Sequence, residues 1–370
     1  MPHEQVKIGI VGCGSISAAY LRTAQVMKIL ETAACADLDA ERAKAKAEEF
    51  GIRGACTVDE LMADPEIRIV VNLTTPQAHF DISMKAIQAG KHVYSEKPLA
   101  VTREDGRRIL DAAAAKGVRV GCAPATFIGG GLQTCRKLID DGAIGAPVAC
   151  AAFVAFHGPE NWHPDPEFLY KVGAGPMFDL GPYYLTALTS LLGPVSRVTG
   201  CSGILIPERT ITSEPKNGRK ITVETPDHVT GCFDFASGAA GVIITSFAVW
   251  ASQLPRMEIY GAEGTLSVPD PNTLGGPVRI KKPGSADWQD VRLTHPHTDR
   301  GKWGIGVADM AHAIVSGRPH RATGEQAFHI LDVMHGFLDA SRDGEHYIPV
   351  SRMSRPSPVP TGLAEDTLDD

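Results

Sequence analysis

The chain has 370 residues, 43% hydrophobic and 21% charged, which suits a two-domain globular protein with ample material for a core. Its net charge of −7 argues against a nucleic-acid partner or an anionic membrane surface, and no apolar stretch approaches the ~18 residues that span a bilayer. Eight cysteines are scattered without a Cys-x-x-Cys pair, and the first strand begins by Val6 with no room for a signal peptide; the expectation is a cytoplasmic protein with reduced thiols and no metal site.

Residues 6 to about 123 alternate short apolar runs with helical patterns. Strands are expected at Val6–Val11, Thr32–Ala36, Ile67–Leu73, Lys91–Ser95 and Val118–Cys122. Helices are expected at Ala40–Phe50, Gln77–Ala89 and Arg103–Lys116, stopped by Gly51, Gly90 and Gly117. This alternation implies βαβ units and a parallel sheet covered on both faces, so residues 1–124 form an α/β, dinucleotide-binding type of domain. After a linking helix at Leu132–Asp140 the period falls to two. His228–Phe235 and Ala240–Trp250 flank the turn at Ala236–Gly238, and Arg256–Tyr260 joins Thr265–Val268 through glycines. These hairpins predict a mostly antiparallel sheet with one face covered. Helices at Trp303–Ser316 and Gly324–Ser341 complete an α+β domain over 125–350. Residues 351–370, rich in Pro, Ser and acid, read as an arm or a disordered tail.

Gly12-Cys13-Gly14-Ser15-Ile16-Ser17 follows the first strand directly and opens a helix. Gly12 permits the tight turn, and Gly14 lets backbone approach a pyrophosphate lying on the helix N-terminus. Ser17 takes the third small-residue position, usually Gly or Ala. Asp37 ends the second strand 23 residues after Gly14, near the ~20 expected for an acid that binds the adenosine ribose. Leu38, not an arginine, follows it, which favours NAD over NADP; the bland alternative for Asp37 is a solvated strand-end acid. Glu96-Lys97-Pro98 closes another strand, and ligands of open α/β sheets sit off the carboxyl ends of the strands. Lys97 is thereby aimed at a ligand. Asp179 and Tyr183 lie four apart in a glycine-rich segment running into a helix, so they share a face. Pro182 would cost ~3 kcal/mol deep in a helix but little in its first turn. The helix is therefore expected to begin near Asp179, with Asp179 as its N-cap on the bland reading, or to be kinked there.

Four segments together resemble the glucose–fructose oxidoreductase / inositol dehydrogenase / rhizopine catabolism (Gfo/Idh/MocA) family of NAD(P)-dependent dehydrogenases: Gly12–Ser17, Asn72–His79, Ala89–Pro98 and Gly173–Leu185. The third is the specific one, and the resemblance spans residues 6 to about 345. It implies an N-terminal Rossmann domain and a C-terminal α+β domain whose open antiparallel sheet packs against another subunit in a homodimer or homotetramer. It also implies an often cis peptide before Pro98, and a cofactor held by Gly12, Gly14, Ser15, Ile16, Asp37, Thr74, Thr75, Pro76, His79, Glu96 and Lys97. Lys97, Asp179 and Tyr183 become the catalytic set. Many relatives carry Asp-x-x-x-His followed by an acid where this chain has Tyr183 and Thr186. A phenol then needs a cation, and Lys97 is expected to lower the Tyr183 pKa. The implied activity is an NAD-dependent dehydrogenase of a sugar, cyclic polyol or glycoside. The rivals are a glycosidase using transient oxidation and a non-catalytic NAD- and sugar-binding regulator.

Trp162, His163 and Lys171, in and after the loop His157–Pro164, are candidates to bind substrate, since a sugar ring needs hydroxyl partners and an aromatic face; ordinary loop packing is the alternative. His295, His297 and Arg300 are weaker candidates. His79 and His92 lie on the cofactor side, where core hydrogen bonding explains them equally well.

Overall fold

A computed structural model describes residues 4–369, Arg300 by its backbone alone. Six parallel strands, β1 (Val6–Val11), β2 (Leu30–Ala36), β3 (Ala55–Cys56), β4 (Ile69–Asn72), β5 (His92–Ser95) and β6 (Val120–Cys122), lie in the order β3-β2-β1-β4-β5-β6. This is the doubly wound order of dinucleotide-binding domains. Every residue of β4 is buried, which is why it reads as an apolar run rather than an alternation. The covering helices are α1 (Ser17–Val26), α2 (Ala40–Phe50), α3 (Val58–Ala63), α4 (His79–Gln88) and α5 (Arg103–Lys116). α5 has the expected bounds: the Thr102 side chain accepts from Asp105 N–H, and Gly117 ends it at φ +67°. α4 starts two residues later than expected, because Pro76 opens a separate 3₁₀ turn over Pro76–Ala78. β3 and α3 were not expected. They are two and six residues long, too short to display a period, although a capping box between Thr57 and Glu60 marks where α3 starts.

The second sheet has eight strands. They are β7 (Pro147–Ala155), β8 (Val195–Gly203), β11 (His228–Phe235), β12 (Ala240–Ser246), β13 (Met257–Gly261), β14 (Gly264–Ser267), β15 (Val278–Lys281) and β16 (Gln289–Val291), and a separate hairpin pairs β9 (Glu208–Thr210) with β10 (Lys220–Thr222). The order is β16-β15-β14-β13-β7-β12-β11-β8, antiparallel except for β7 beside β12. β12 stops four residues short of the expected end, as Trp250 leaves the sheet 82% exposed. Helices α6 (Gly130–Asp140), α7 (Gly175–Asp179), α8 (Gly181–Leu192), α9 (Ile305–Ser316) and α10 (Gly324–Asp343) complete the molecule. All twelve residues of α8 are buried, and one apolar core runs from β1 through α8 and α10 to β12. Residues 345–369 form an irregular arm. It is pinned where Val359 N–H donates to Gln133 Oε1 at 2.8 Å and where Asp369 pairs with Arg318 at 2.7 Å. Among the described residues, no helix is long and apolar enough to cross a membrane, every cysteine is a free thiol, and no His, Cys, Asp or Glu group is placed to hold a metal.

Candidate active site

The turn after β1 is shaped by its glycines. Gly12 has φ +99°, and a Cβ there would lie 2.6 Å from the Leu73 carbonyl, so only glycine fits between the turn and β4. A Cβ on Gly14 would meet nothing within 4 Å. Nothing in the protein itself asks for glycine there; the open space is what a pyrophosphate needs. Ser17 is fully buried, and its hydroxyl donates to Gly14 O at 2.7 Å, so serine serves the third position. The N-terminus of α1 has no side-chain cap; the N–H groups of Ser17 and Ala19 turn back to Gly14 O at 3.1 Å and Ile16 O at 3.0 Å, so an anion at this end would meet the turn N–H groups of Ser15 and Ile16. The residues present therefore fit a dinucleotide.

The Asp37 carboxylate accepts from Cys13 N–H at 2.7 Å and from Asp39 N–H at 3.0 Å, so it braces the turn after β1. Leu38 is fully exposed. The sequence reading missed Arg42, whose guanidinium stands 3.5 Å from Asp37; its place five residues on, in the first turn of α2, was the available signal. If Asp37 accepts the adenosine ribose hydroxyls, a 2′-phosphate would face a carboxylate. The double substitution Asp37→Ser, Leu38→Arg leaves two arginines there. It should raise the NADP⁺/NAD⁺ ratio of kcat/KM at least about tenfold, or ~1.4 kcal/mol; an unchanged ratio would remove Asp37 from the ribose site.

Thr74 donates its hydroxyl to Asn72 Oδ1 at 2.7 Å, and exposed Thr75 precedes Pro76 at the start of the 3₁₀ turn, which places this segment beside the glycine turn. His79 is a correction. It is completely buried, with ring nitrogens 2.7 Å from Pro98 O and 3.1 Å from Thr74 O. Its ring, turned to protein carbonyls, ties the Thr74 and Pro98 loops together; burial lowers its pKa. His92 likewise serves the core, accepting from Arg119 N–H at 2.9 Å.

Glu96 and Lys97 leave the carboxyl end of β5, followed by a cis Lys97–Pro98 peptide. The Glu96 carboxylate accepts from the buried Tyr20 hydroxyl at 2.7 Å and from Lys97 N–H at 3.0 Å, so its place is behind Lys97. The Lys97 ammonium donates to Asp179 O at 2.7 Å and to Asp179 Oδ1 at 2.8 Å, and lies 5.4 Å from the centroid of the Tyr183 ring. Pro182 explains why that carbonyl is available. It has no N–H to return to Asp179, and Tyr183 N–H goes to Leu180 O at 3.0 Å. The chain thus breaks at Leu180 into α7 and α8, with Pro182 in the first turn of α8; Asp179 ends α7 and is not an N-cap.

Burial works against the Lys97 charge, but the carboxylates of Asp179 and Glu96 oppose it, and its pKa lies above the ordinary lysine value. Tyr183 corrects the sequence expectation. Burial pushes its pKa up, Lys97 offsets only part of that, and Glu96 and Asp179 push the same way as burial. The lysine's charge is already matched by Asp179, and the phenol, 7% exposed, stays protonated. Thr186, in place of the relatives' later acid, lies buried beside Lys97 and Pro98. Trp303 also reaches this cluster, its ring centroid 6.1 Å from that of Tyr183; the sequence reading had treated it only as the start of a helix.

The other candidates make contacts of their own. Trp162 is 62% exposed, and His163 Nδ1 accepts from Asp165 N–H at 2.9 Å while its ring meets Trp162 and Phe168 edge-on. Lys171 pairs with Glu224 at the surface. Among the described residues, no hydrogen bond or ion pair joins these three to Lys97, Asp179 or Tyr183. Their loop is stapled instead by buried Arg209, which donates to Glu160 at 2.9 Å and to Asp227 at 3.0 Å. His295 and His297, the weaker candidates, take structural positions. Both are buried, their Nε2 atoms 3.0 Å from Val359 O and 2.9 Å from Thr367 O, holding the C-terminal arm. The side chain of Arg300 lies outside the described residues.

Residues 6–123 match a family model described as an oxidoreductase family with an NAD-binding Rossmann fold, and residues 132–267 match the GFO/IDH/MocA C-terminal domain. The chain is 29% identical to 1,5-anhydro-D-fructose reductase of Ensifer adhaerens, over 74% of this chain and 77% of that one. It is 27% identical to levoglucosan dehydrogenase of Pseudarthrobacter phenanthrenivorans, over 71% and 73%. In three dimensions it resembles an NAD binding oxidoreductase from Klebsiella pneumoniae with a TM-score of 0.81 at 23% identity, covering 94% of this chain and 100% of the other. Levoglucosan dehydrogenase in complex with NADH and levoglucosan gives 0.79 at 20% identity, covering 94% and 100%; at such identities these two share the fold.

Proposed function

The chain belongs to the GFO/IDH/MocA family of NAD-binding oxidoreductases, and we propose that it interconverts a secondary alcohol and a ketone on a sugar, cyclic polyol or glycoside. The observation that carries this reading is the Lys97 ammonium, fixed by Asp179 beside the buried phenol of Tyr183, off the carboxyl end of β5. A bound nicotinamide supplies hydride exchange at its C4. The chain supplies orientation and the proton. Lys97 presents an N–H to the substrate oxygen, Asp179 keeps that ammonium in place and accepts from neighbouring hydroxyls, and Tyr183 gives its proton to the ketone oxygen or takes it back from the alcohol.

The test is a screen of NAD⁺ reduction and NADH oxidation over inositols, hexoses, pentoses, their keto forms and aryl glucosides, with free aglycone assayed in parallel. Net cofactor turnover without aglycone release supports the reading. Aglycone release without net NADH would replace it by transient oxidation and elimination, and silence throughout would favour a regulator.

The same reading includes assembly. Cys201, Cys232, Val242, Ile244 and Phe153 share the face of the large sheet turned away from α10, with Val242 37% exposed. This face mixes apolar side chains with polar ones such as His228, Thr230 and Thr199, a composition that suits an interface between copies, so a homodimer or homotetramer is expected in sedimentation at micromolar concentration. A monomer there would refute it.

A further inference from the structure

The segment leading into α9 is clamped from two sides. On one side, buried Thr23 of α1 accepts from Gly304 N–H at 3.0 Å, and its hydroxyl lies 3.2 Å from Gly301 O. The segment is pressed so close that a Cβ on Gly304 would lie 3.1 Å from the Tyr20 ring. On the other side, the buried ammonium of Lys302 is bonded to the Glu365 carboxylate and to Glu365 O at 2.8 Å, and stands 3.2 Å from His297 Nδ1. His297 itself holds a left-handed backbone at φ +62°, stabilised by the arm through Thr367 O. Trp303 sits between these clamps, half-buried, its indole tilted 50° to the Tyr183 ring at 6.1 Å between centroids.

We propose that Trp303 is a specificity-determining residue: the apolar wall against which the C–H face of a ring-shaped substrate lies while its hydroxyl meets Lys97 and Tyr183. The proposal rests on the reading of Lys97, Asp179 and Tyr183 as the reacting centre. A substrate oxygen held by Lys97 and Tyr183 brings its carbon skeleton within reach of an indole that contacts the same phenol ring. An indole is a large, rigid apolar surface. A closed sugar or cyclitol ring offers it a continuous C–H face, whereas an open-chain polyol must freeze several torsions to do so. Because the backbone on either side of Trp303 is tied down, the wall is set before substrate arrives. It therefore favours rings and does not adapt to chains.

The experiment measures binding of myo-inositol, methyl glucoside and sorbitol to the NADH-loaded protein by calorimetry, with kcat/KM for the same compounds as a second readout. The wild type should prefer the better of the two rings to sorbitol. Trp303→Leu should reduce that preference at least about tenfold, through Kd and KM more than kcat, while NADH affinity stays as in the wild type. Trp303→Phe, which keeps an aromatic face and most of the packing, should fall between the two and guards against a folding defect in the leucine variant. A wild type without ring preference, or a preference unchanged in both variants, overturns the proposal. Ring binding that depends on Trp303 in a protein that turns over none of these compounds would leave the wall standing and count against the catalytic reading instead.

Discussion

Lys97→Met is expected to lower turnover by ~10²-fold or more in both directions while leaving NADH binding intact. Methionine keeps the stem and most of its packing, so what disappears is the charge and its N–H donors. In the native site those donors hold Asp179 O and Asp179 Oδ1 at 2.7 and 2.8 Å, and this contact ties the end of α7 to the segment after β5. Removing it has two effects of the same sign. The substrate oxygen loses its cationic partner, and the Asp179 carboxylate, with 27% of its side chain exposed, loses the group that fixes its orientation. Among the described residues, Gly12, Gly14 and Asp37 make no hydrogen bond or ion pair with Lys97, so NADH binding that rests on them should not register the change. Steady-state rates with the best substrate from the screen, alongside a fluorescence titration with NADH, separate the two quantities. Near-native turnover in this variant would mean that the reacting centre lies elsewhere.

Tyr183→Phe should have the second-largest effect, and its signature is in the pH profile. Burial raises the phenol pKa above its usual value of ~10, with Lys97 only partly opposing. The neutral form is then the acid needed for ketone reduction, and it is fully present through the neutral range. Reduction should be flat there and fall only as the phenol ionises at high pH. Oxidation needs the ionised form to take the alcohol proton. Its rate should therefore climb about tenfold per pH unit toward the alkaline limit, without a plateau near neutrality. Since Tyr183 lies beside the charged Lys97–Asp179 pair, the limb belongs to the cluster rather than to one group. The phenylalanine variant keeps the ring and its contact with Trp303 but loses the alkaline limb, leaving a slow and flatter residual rate. Tyr183→His should move the limb toward the imidazole range near ~6.5. Wild-type turnover with a wild-type profile in Tyr183→Phe would make the tyrosine a packing residue.

Much of this molecule was legible from local chemistry. The alternation of apolar runs and glycine-stopped helices over residues 6–123 specifies the doubly wound sheet, because period, caps and turn residues each act within about ten residues of chain. α5 shows this best, bounded by the hydroxyl of Thr102 and the left-handed Gly117 as its sequence implies. Gly12, Asp37 and the Glu96–Pro98 segment were readable for the same reason: a strand end followed by a tight turn is a local event, and the fold class says which end of the sheet meets the ligand. The pieces that escaped, such as β3, β9 and β16, are two or three residues long and held by their neighbours in the sheet rather than by their own pattern.

The site itself was decided by tertiary structure. Lys97 and Asp179 are 82 residues apart, and Thr23 and Gly301 are 278 apart; no spacing rule reaches that far. Tyr20 and Trp303 became visible only when separate elements packed against Glu96 and Tyr183. The histidines make the converse point. His79, His295 and His297 have the residue type of ligand-binding groups, yet packing buries them and turns both ring nitrogens of His79 and the Nε2 atoms of His295 and His297 to backbone carbonyls. Tyr183 differs from expectation for the same physical reason. A sequence shows which charge stands near a phenol, but the sign of its pKa shift depends on how much water the fold removes and on whether that charge is already paired with another group. Here the fold buries the ring and pairs Lys97 with Asp179, so desolvation outweighs attraction.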